Sequence, residues 1–250
     1  RGLLDVLRDK VAGCREELNA RSVGNALYGL QNMSSEAKEV RDLLGVLRDK
    51  VAECSEELSA KEVCNALYGM QNMSSEAKEV RGLLDVLKDK VAECREELIA
   101  QGVGNALYGM QNMSSEAKEV RDLLGVLRDK VAECSEELSA KEVCNALYGM
   151  QNMSSEAKEV RGLLDVLKDK VAECREELIA QGVGNALYGM QNMSSDAKEV
   201  RDLLGVLRDK VAGCREELNA HEMCNALYGL QNMSSEAKEV RGLLDVLRDK

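Results

Sequence analysis

The chain has 250 residues, 32% of them charged, a formal net charge of −11 and a single His. An acidic surface repels phosphate backbones, which argues against a nucleic-acid partner. No apolar run approaches the ~18 residues of a membrane helix, so we expect no membrane partner.

The sequence repeats itself every forty residues. The stretch that begins with Gln31-Asn32-Met33-Ser34 begins again at Gln71, Gln111, Gln151, Gln191 and Gln231. A fixed period of this length indicates a repeat array, in which each unit packs only against its neighbours. Residues 41–120 and 121–200 differ only at Glu116 against Asp196. Two unit types therefore alternate within a duplicated block of eighty residues.

The period divides the chain into one continuous array. The units are residues 1–33 (partial), 34–73, 74–113, 114–153, 154–193, 194–233 and 234–250 (partial). The first ten and the last ten residues are the same sequence, RGLLDVLRDK, which belongs to a predicted helix. We therefore interpret the chain as a segment of a longer repeat array.

Each unit begins with a predicted long helix. Its apolar residues recur every three or four positions, which places them in one stripe. In unit 34–73 they are Val40, Leu43, Leu44, Leu47, Val51, Cys54 and Leu58. Ser34 or Ser35 is expected to cap this helix of about twenty residues. The acidic residues near its end, Glu53, Glu56 and Glu57, are expected to solvate the turn and favour the start of the next helix.

A second, shorter helix follows. Ser59-Ala60-Lys61-Glu62 matches a capping box, and the apolar pattern continues to about Met73. Asn72 is expected to end this helix in the left-handed conformation, with Ser starting the next one. The sequence therefore predicts an all-α fold, an α-solenoid of about six 40-residue helix-turn-helix repeats that advance about 10 Å per unit.

Paired helices at this period, with Asn-Ala-Leu-Tyr-Gly-Met on the second helix, resemble the armadillo and HEAT class of helical repeats and, more loosely, octotricopeptide-type repeats. In armadillo proteins an Asn on the inner helix of each repeat holds an extended peptide. The resemblance implies this role for Asn25, Asn65, Asn105, Asn145, Asn185 and Asn225.

The spacing of the second helix also places Asn and Tyr on one polar face. This candidate partner-binding ladder consists of Asn25, Tyr28, Asn65, Tyr68, Asn105, Tyr108, Asn145, Tyr148, Asn185, Tyr188, Asn225 and Tyr228. Amides and phenols about 10 Å apart could bind a peptide or a protein. Alternatively, they bond to the adjacent unit and set the stacking register.

Asp and Gly exchange places on the outer face of the long helices. The positions are Asp42, Gly45, Gly82, Asp85, Asp122, Gly125, Gly162, Asp165, Asp202 and Gly205. A glycine inside a helix weakens it by roughly 1 kcal/mol relative to Ala, and it permits close approach by another backbone. One interpretation is a lateral contact between solenoids, and the other is neutral drift spread by duplication.

The cysteines form two sets. Cys14, Cys54, Cys94, Cys134, Cys174 and Cys214 lie on the long-helix stripe, whereas Cys64, Cys144 and Cys224 alternate with glycines. A Cys54–Cys64 type of disulfide is possible, but nine is an odd number, and we favour reduced, buried thiols. Reduced thiols slightly favour a cytoplasmic location.

The Asn-Met-Ser triplet is an N-glycosylation acceptor, which would suit a secreted protein. Its copies begin at Asn32, Asn72, Asn112, Asn152, Asn192 and Asn232. A short turn between two helices also accounts for the triplet without any glycan.

No nucleophile–base pair, phosphate loop or metal-ligand spacing stands out, so we expect neither enzyme activity nor a cofactor. His221 is expected to be a surface variant. We expect a non-enzymatic structural or scaffolding protein that assembles with itself into a filament or other extended array, through uncapped ends and lateral helix contacts. The alternative is a peptide- or protein-binding solenoid that uses the Asn–Tyr ladder.

Overall fold

The computed structural model describes residues 2–250, which contain thirteen α-helices and no β-strand. The helices are α1 (Leu3–Ala12), α2 (Ala20–Tyr28), α3 (Lys38–Glu53), α4 (Ala60–Tyr68), α5 (Lys78–Glu93), α6 (Ala100–Tyr108), α7 (Lys118–Glu133), α8 (Ala140–Tyr148), α9 (Lys158–Glu173), α10 (Ala180–Tyr188), α11 (Lys198–Gly213), α12 (Ala220–Gly229) and α13 (Lys238–Arg248).

The helices form two parallel rows. Each odd-numbered long helix packs against the next long helix, and each even-numbered short helix packs against the next short one. The predicted all-α solenoid is confirmed. No described helix is long and apolar enough to cross a membrane.

The core runs between the two rows as a continuous strip. In the interior units the stripe of each long helix is fully buried, as at Leu83, Leu84 and Leu87. The short helices contribute residues such as Val103 and Leu107 from the other side. Since neither row can bury its stripe alone, stacking of units is what closes the core.

The long helix is shorter than predicted, with 16 residues from Lys38 to Glu53. Neither Ser34 nor Ser35 caps it, because its N-cap is Ala37, which provides no side-chain hydrogen bond. Ser34 instead closes a local turn, in which its Oγ accepts from the backbone N of Glu36 at 3.2 Å.

At the other end, Cys54 adopts an extended conformation and stops the helix. The predicted stripe residues Cys54 and Leu58 are buried from the connecting loop and not from the helix. Apolar spacing alone does not distinguish these two ways of reaching the core.

The capping box of the short helix is confirmed in units 34–73 and 114–153. The side chain of Ser59 accepts from the backbone N of Glu62, and the Glu62 carboxylate accepts from the backbone N of Ser59 at 3.0 Å. In the alternate units the N-caps are Ile99 and Ile179, which provide no cap and are 53% and 55% exposed.

The prediction that Asn72 adopts a left-handed conformation is wrong. No residue from 2 to 250 has a left-handed backbone. The short helix ends at Tyr68, and the chain then reverses through consecutive four-residue turns. Their hydrogen bonds run from Met70 N to Leu67 O at 2.9 Å and from Met73 N to Met70 O at 2.8 Å.

Glutamates of the connecting loops bind across the unit boundaries. Glu56 accepts from Ala20 N, the first amide of the preceding unit's short helix, at 2.8 Å. Glu57 accepts from Arg95 N in the following unit at 2.8 Å. Glu56 therefore does stabilise the start of a short helix, but of the preceding unit, because a carboxylate at a helix N-terminus satisfies a free N–H and opposes the dipole.

From Lys90 onwards, a lysine in or just after each long helix bonds across the boundary to the preceding unit. Lys90 is 9% exposed and donates from Nζ to the carbonyl of Cys54 at 2.5 Å. Lys130 repeats the contact with Cys94 at 2.6 Å. The ammonium group thus satisfies the carbonyl that follows the preceding unit's long helix, where a positive charge is favourable.

Candidate interaction surfaces

The six tyrosines of the predicted ladder form one continuous stack along the short helices. From Tyr28 to Tyr228, successive ring centroids lie 5.5–6.0 Å apart with interplanar angles of 19–23°. The expected ladder spacing of about 10 Å is therefore wrong for the phenols. Part of the alternative interpretation holds for Tyr, because each ring contacts its neighbours and rigidifies the stacking.

Glycines at the C-terminal ends of the short helices produce this close spacing. A Cβ on Gly69 would lie 2.0 Å from the carbonyl oxygen of Leu27, and Gly109, Gly149, Gly189 and Gly229 approach the preceding unit in the same way. Without Cβ atoms the backbones of neighbouring units meet directly. The adjacent tyrosine rings are consequently drawn into stacking distance.

The asparagines of the ladder behave differently from the tyrosines. Asn65, Asn105, Asn145 and Asn185 are half-buried. Within residues 2–250 their side-chain amides make no hydrogen bond, whereas Asn225 approaches His221 at 3.4 Å. Each amide retains two donors and an acceptor for a partner. Within the described residues, the ladder from Asn65 to Asn185 therefore consists of a row of asparagine amides without hydrogen bonds beside a row of stacked phenol rings.

A polar groove runs across the turns that join the short helices to the next long helices. It has a volume of about 870 Å³. Its lining residues are Asn32, Ser34, Ser35, Glu36, Asn72, Ser74, Ser75, Glu76, Asn112, Ser114, Ser115, Glu116, Asn152, Ser154 and Asn192.

The groove contains most of the predicted glycosylation residues. Asn72 donates from Nδ2 to the carbonyl of Gln31 at 2.7 Å, and Asn112, Asn152, Asn192 and Asn232 make the equivalent bond. The buried Ser35 also accepts from the backbone N of Ser74 at 2.8 Å. Glycosylation stays a prediction, but these amide nitrogens already hold neighbouring units together.

The long-helix glycines fall into two environments. Around Gly45, Gly125 and Gly205 nothing lies within 4 Å of the position a Cβ would occupy, beyond the backbone of the same helix. At Gly82 and Gly162 the Cβ would lie 3.3 Å from the Cδ of Arg48 and Arg128, which belong to the preceding long helix. Only the first set is open to another molecule.

The aspartates of the same face are engaged in ion pairs. Asp42 lies 2.6 Å from Lys38 and 3.6 Å from Arg8 of the preceding long helix. Asp122 and Asp202 pair likewise with Lys118 and Lys198. In the alternate units the pairs are Asp85–Lys88 at 3.3 Å and Asp165–Lys168 at 3.0 Å.

We expect the array to lose stability in acid. Hydrogen bonds from the side chain and backbone of Ser55 lower the pKa of Glu17, and those of Ser135 lower the pKa of Glu97. The hydrogen bond from Lys38 lowers the pKa of Asp42. A carboxyl group with a depressed pKa in the folded state stabilises it above the unfolded value, and the contribution disappears as pH falls through the folded value.

We expect the Tm to be constant above pH ~5 and to decrease once the pH is lower than the ordinary carboxyl pKa of about 4. Circular dichroism melts between pH 7 and pH 3 measure it. A Tm that is constant down to pH 3 would contradict the stabilising hydrogen bonds and ion pair of these three carboxylates.

All nine cysteines are free thiols, as favoured from the sequence. Cys14 and Cys224 are exposed, and the other seven are buried. Burial raises the pKa of Cys64 and Cys144 to about 12, so these thiols are protonated at neutral pH and are poor nucleophiles. Among residues 2–250 no cluster of His, Cys, Asp and Glu is arranged to hold a metal ion.

These features define the class of protein as a helical-repeat solenoid with a ladder, a groove and an outer helical face that recur at every unit or every second unit. No protein-family model and no curated protein matches the chain.

Proposed function

We propose that the chain is a non-enzymatic structural or scaffolding protein that assembles with copies of itself into a filament or other extended array. The observation that carries the proposal is the row formed by Gly45, Gly125 and Gly205. Each glycine weakens its helix by roughly 1 kcal/mol relative to Ala, and packing within the array does not require it, because the space above it is open. The close approach of a second solenoid would require a residue without a side chain at this position.

Mixed charges beside these glycines favour a second copy as the partner. A recess of about 410 Å³ at Gly205 is lined by both acidic and basic side chains, including Asp202, Arg208 and Lys238. A surface that carries both signs at regular intervals is complementary to itself when shifted or inverted. The exposed Asp85 and Asp165 of the alternate units are the side chains expected to fit beside the glycines of another copy.

The triple variant Gly45→Ala, Gly125→Ala and Gly205→Ala tests this proposal. Electron microscopy and sedimentation velocity at micromolar concentration are expected to show fibres for the unmodified chain and single rods for the variant. The Tm of the variant should nevertheless be higher, since Ala favours the helix. Gly213→Ala is the control, because it also has open space but lies at a helix end, and it should leave assembly unchanged.

If the unmodified chain stays as single rods at every concentration, the proposed filament is refuted. Fibres that form equally well from the triple variant would refute the lateral contact.

The second candidate function is peptide or protein binding along the Asn–Tyr ladder, as the resemblance to armadillo proteins implies. It is favoured by the uncommitted amides of Asn65, Asn105 and Asn145. An extended basic peptide suits the net charge of −11. Fluorescence anisotropy with a labelled lysine-rich peptide is expected to show binding that the triple Asn→Ala variant at these positions loses. Equal anisotropy for both proteins would count against the ladder.

A further inference from the structure

The two unit types differ at two positions of the short helix that face the neighbouring unit. Unit 34–73 carries Glu62 and Cys64, whereas unit 74–113 carries Gly102 and Gly104. In the stack, the later position of one unit faces the earlier position of the next. Cys64 therefore meets Gly102, and Gly104 meets Glu142.

At the first kind of junction the larger residue comes first. A Cβ on Gly102 would lie 2.6 Å from the Sγ of Cys64, and a Cβ on Gly182 would lie 2.8 Å from the Sγ of Cys144. Carbon and sulfur do not approach so closely, so the cysteine occupies the volume that the glycine leaves, and a side chain at the glycine position would require the Sγ to move.

At the second kind of junction the glycine comes first. A Cβ on Gly104 would lie 3.0 Å from the Cα of Glu142. The same arrangement recurs where Gly24 and Gly184 face glutamates of the next unit, with distances of 3.0 and 3.2 Å to the Cα atoms. Here the close neighbour is backbone, which cannot rotate away.

We propose that each short helix is selective for the opposite unit type as its following neighbour. From α2 to α12 there are five junctions between successive short helices, and each pairs one glycine with one larger residue. Two Cys-bearing units in succession would force Cys against Glu, and two Gly-bearing units would leave a gap between the helices. Only a block of eighty residues can therefore be added or removed while every junction keeps one glycine and one larger residue. The same rule applies to a junction with a second copy of the chain.

The helix caps support this complementarity. Gly102 occupies the third position of α6, where Glu62 completes the capping box of α4. A glycine at that position excludes the box, and α6 has no side-chain cap. The glycine is kept at a position where Glu would stabilise the helix itself, and the fit to Cys64 gives the physical reason.

A double-substitution cycle in the full chain tests the proposal. Gly102→Glu creates a Cys–Glu junction, which should lower the urea midpoint the most. Cys64→Gly creates a Gly–Gly junction and should lower it less, since a gap relaxes more easily than an overlap. The double variant Cys64→Gly and Gly102→Glu reproduces the Gly–Glu junction found at three other places, so it should recover more than half of the loss caused by Gly102→Glu.

Additive effects, with the double variant no more stable than Gly102→Glu alone, would overturn the proposal. If Gly102→Glu does not fold, folding of the double variant is itself the supporting result, and failure of both overturns it.

A pair of deletions gives an independent test. Removal of residues 74–113 places Cys64 against Glu142, whereas removal of residues 74–153 places Cys64 against Gly182. The larger deletion should keep a single cooperative urea transition, and the smaller one should show separate transitions for the two segments. The opposite order would overturn the proposal.

Discussion

Gly109→Ala is expected to split the array in its middle. The backbone of Gly109 is right-handed helical, with φ −59° and ψ −19°, so Ala is conformationally acceptable there. The obstacle is steric, because the new Cβ would lie 2.0 Å from the carbonyl oxygen of Leu67. Overlap with backbone requires units to separate, and we expect a loss of about 3 kcal/mol in the free energy of unfolding.

The measurement is urea denaturation followed by circular dichroism. Since each unit contacts only its neighbours, a fault at one junction should divide one transition into two. Gly125→Ala is the matched control, because it makes the same chemical change in open space and should raise stability by up to ~1 kcal/mol. Equal effects of the two substitutions would show that the close approach at Gly109 contributes nothing to stability.

Lys130→Met is expected to destabilise the array by about 2 kcal/mol, in the range of a hydrogen bond to a charged group. The Nζ of Lys130 donates to the carbonyl of Cys94 at 2.6 Å, and the residue is only 8% exposed. Met retains most of the aliphatic length but leaves the carbonyl without its donor. The loss therefore reports on the polar contact more than on packing.

Lys118→Met is the control for this prediction. Its side chain is 75% exposed and pairs with Asp122 on the surface, where an ion pair contributes ~0–1 kcal/mol. The urea midpoint should fall clearly for Lys130→Met and hardly at all for Lys118→Met. A comparable midpoint for both variants would contradict the role of the buried lysine.

The candidate surfaces were only partly visible in the sequence. Helical spacing predicts that Asn65 and Tyr68 share a face of the short helix, because side chains three residues apart lie on the same side. It did not reveal that Tyr stacks whereas Asn stays uncommitted. The stacking depends on the close approach at Gly69, whose contact lies in another unit.

The polar groove was missed, although its signal was present in every unit. The Asn-Met-Ser-Ser sequence by local rules indicates a turn or a glycosylation acceptor, since these rules assign Asn and Ser to helix ends. Asn72 and Ser35 instead bond to neighbouring units, at positions 41 and 39 residues away along the chain. Local propensity contains no information about partners at that distance.

The all-α class, the forty-residue period, the buried face of each helix and the capping box at Ser59 could all be predicted from the amino-acid sequence. These features depend on residues within one or two helical turns of each other, so their periodicity and local hydrogen bonds specify them. The end of the long helix, the distance between units and the groups that cap each helix depend on contacts between units. Cys54 leaves the helix and Glu56 caps a neighbour because residues nearly one period apart are brought together only when the units stack.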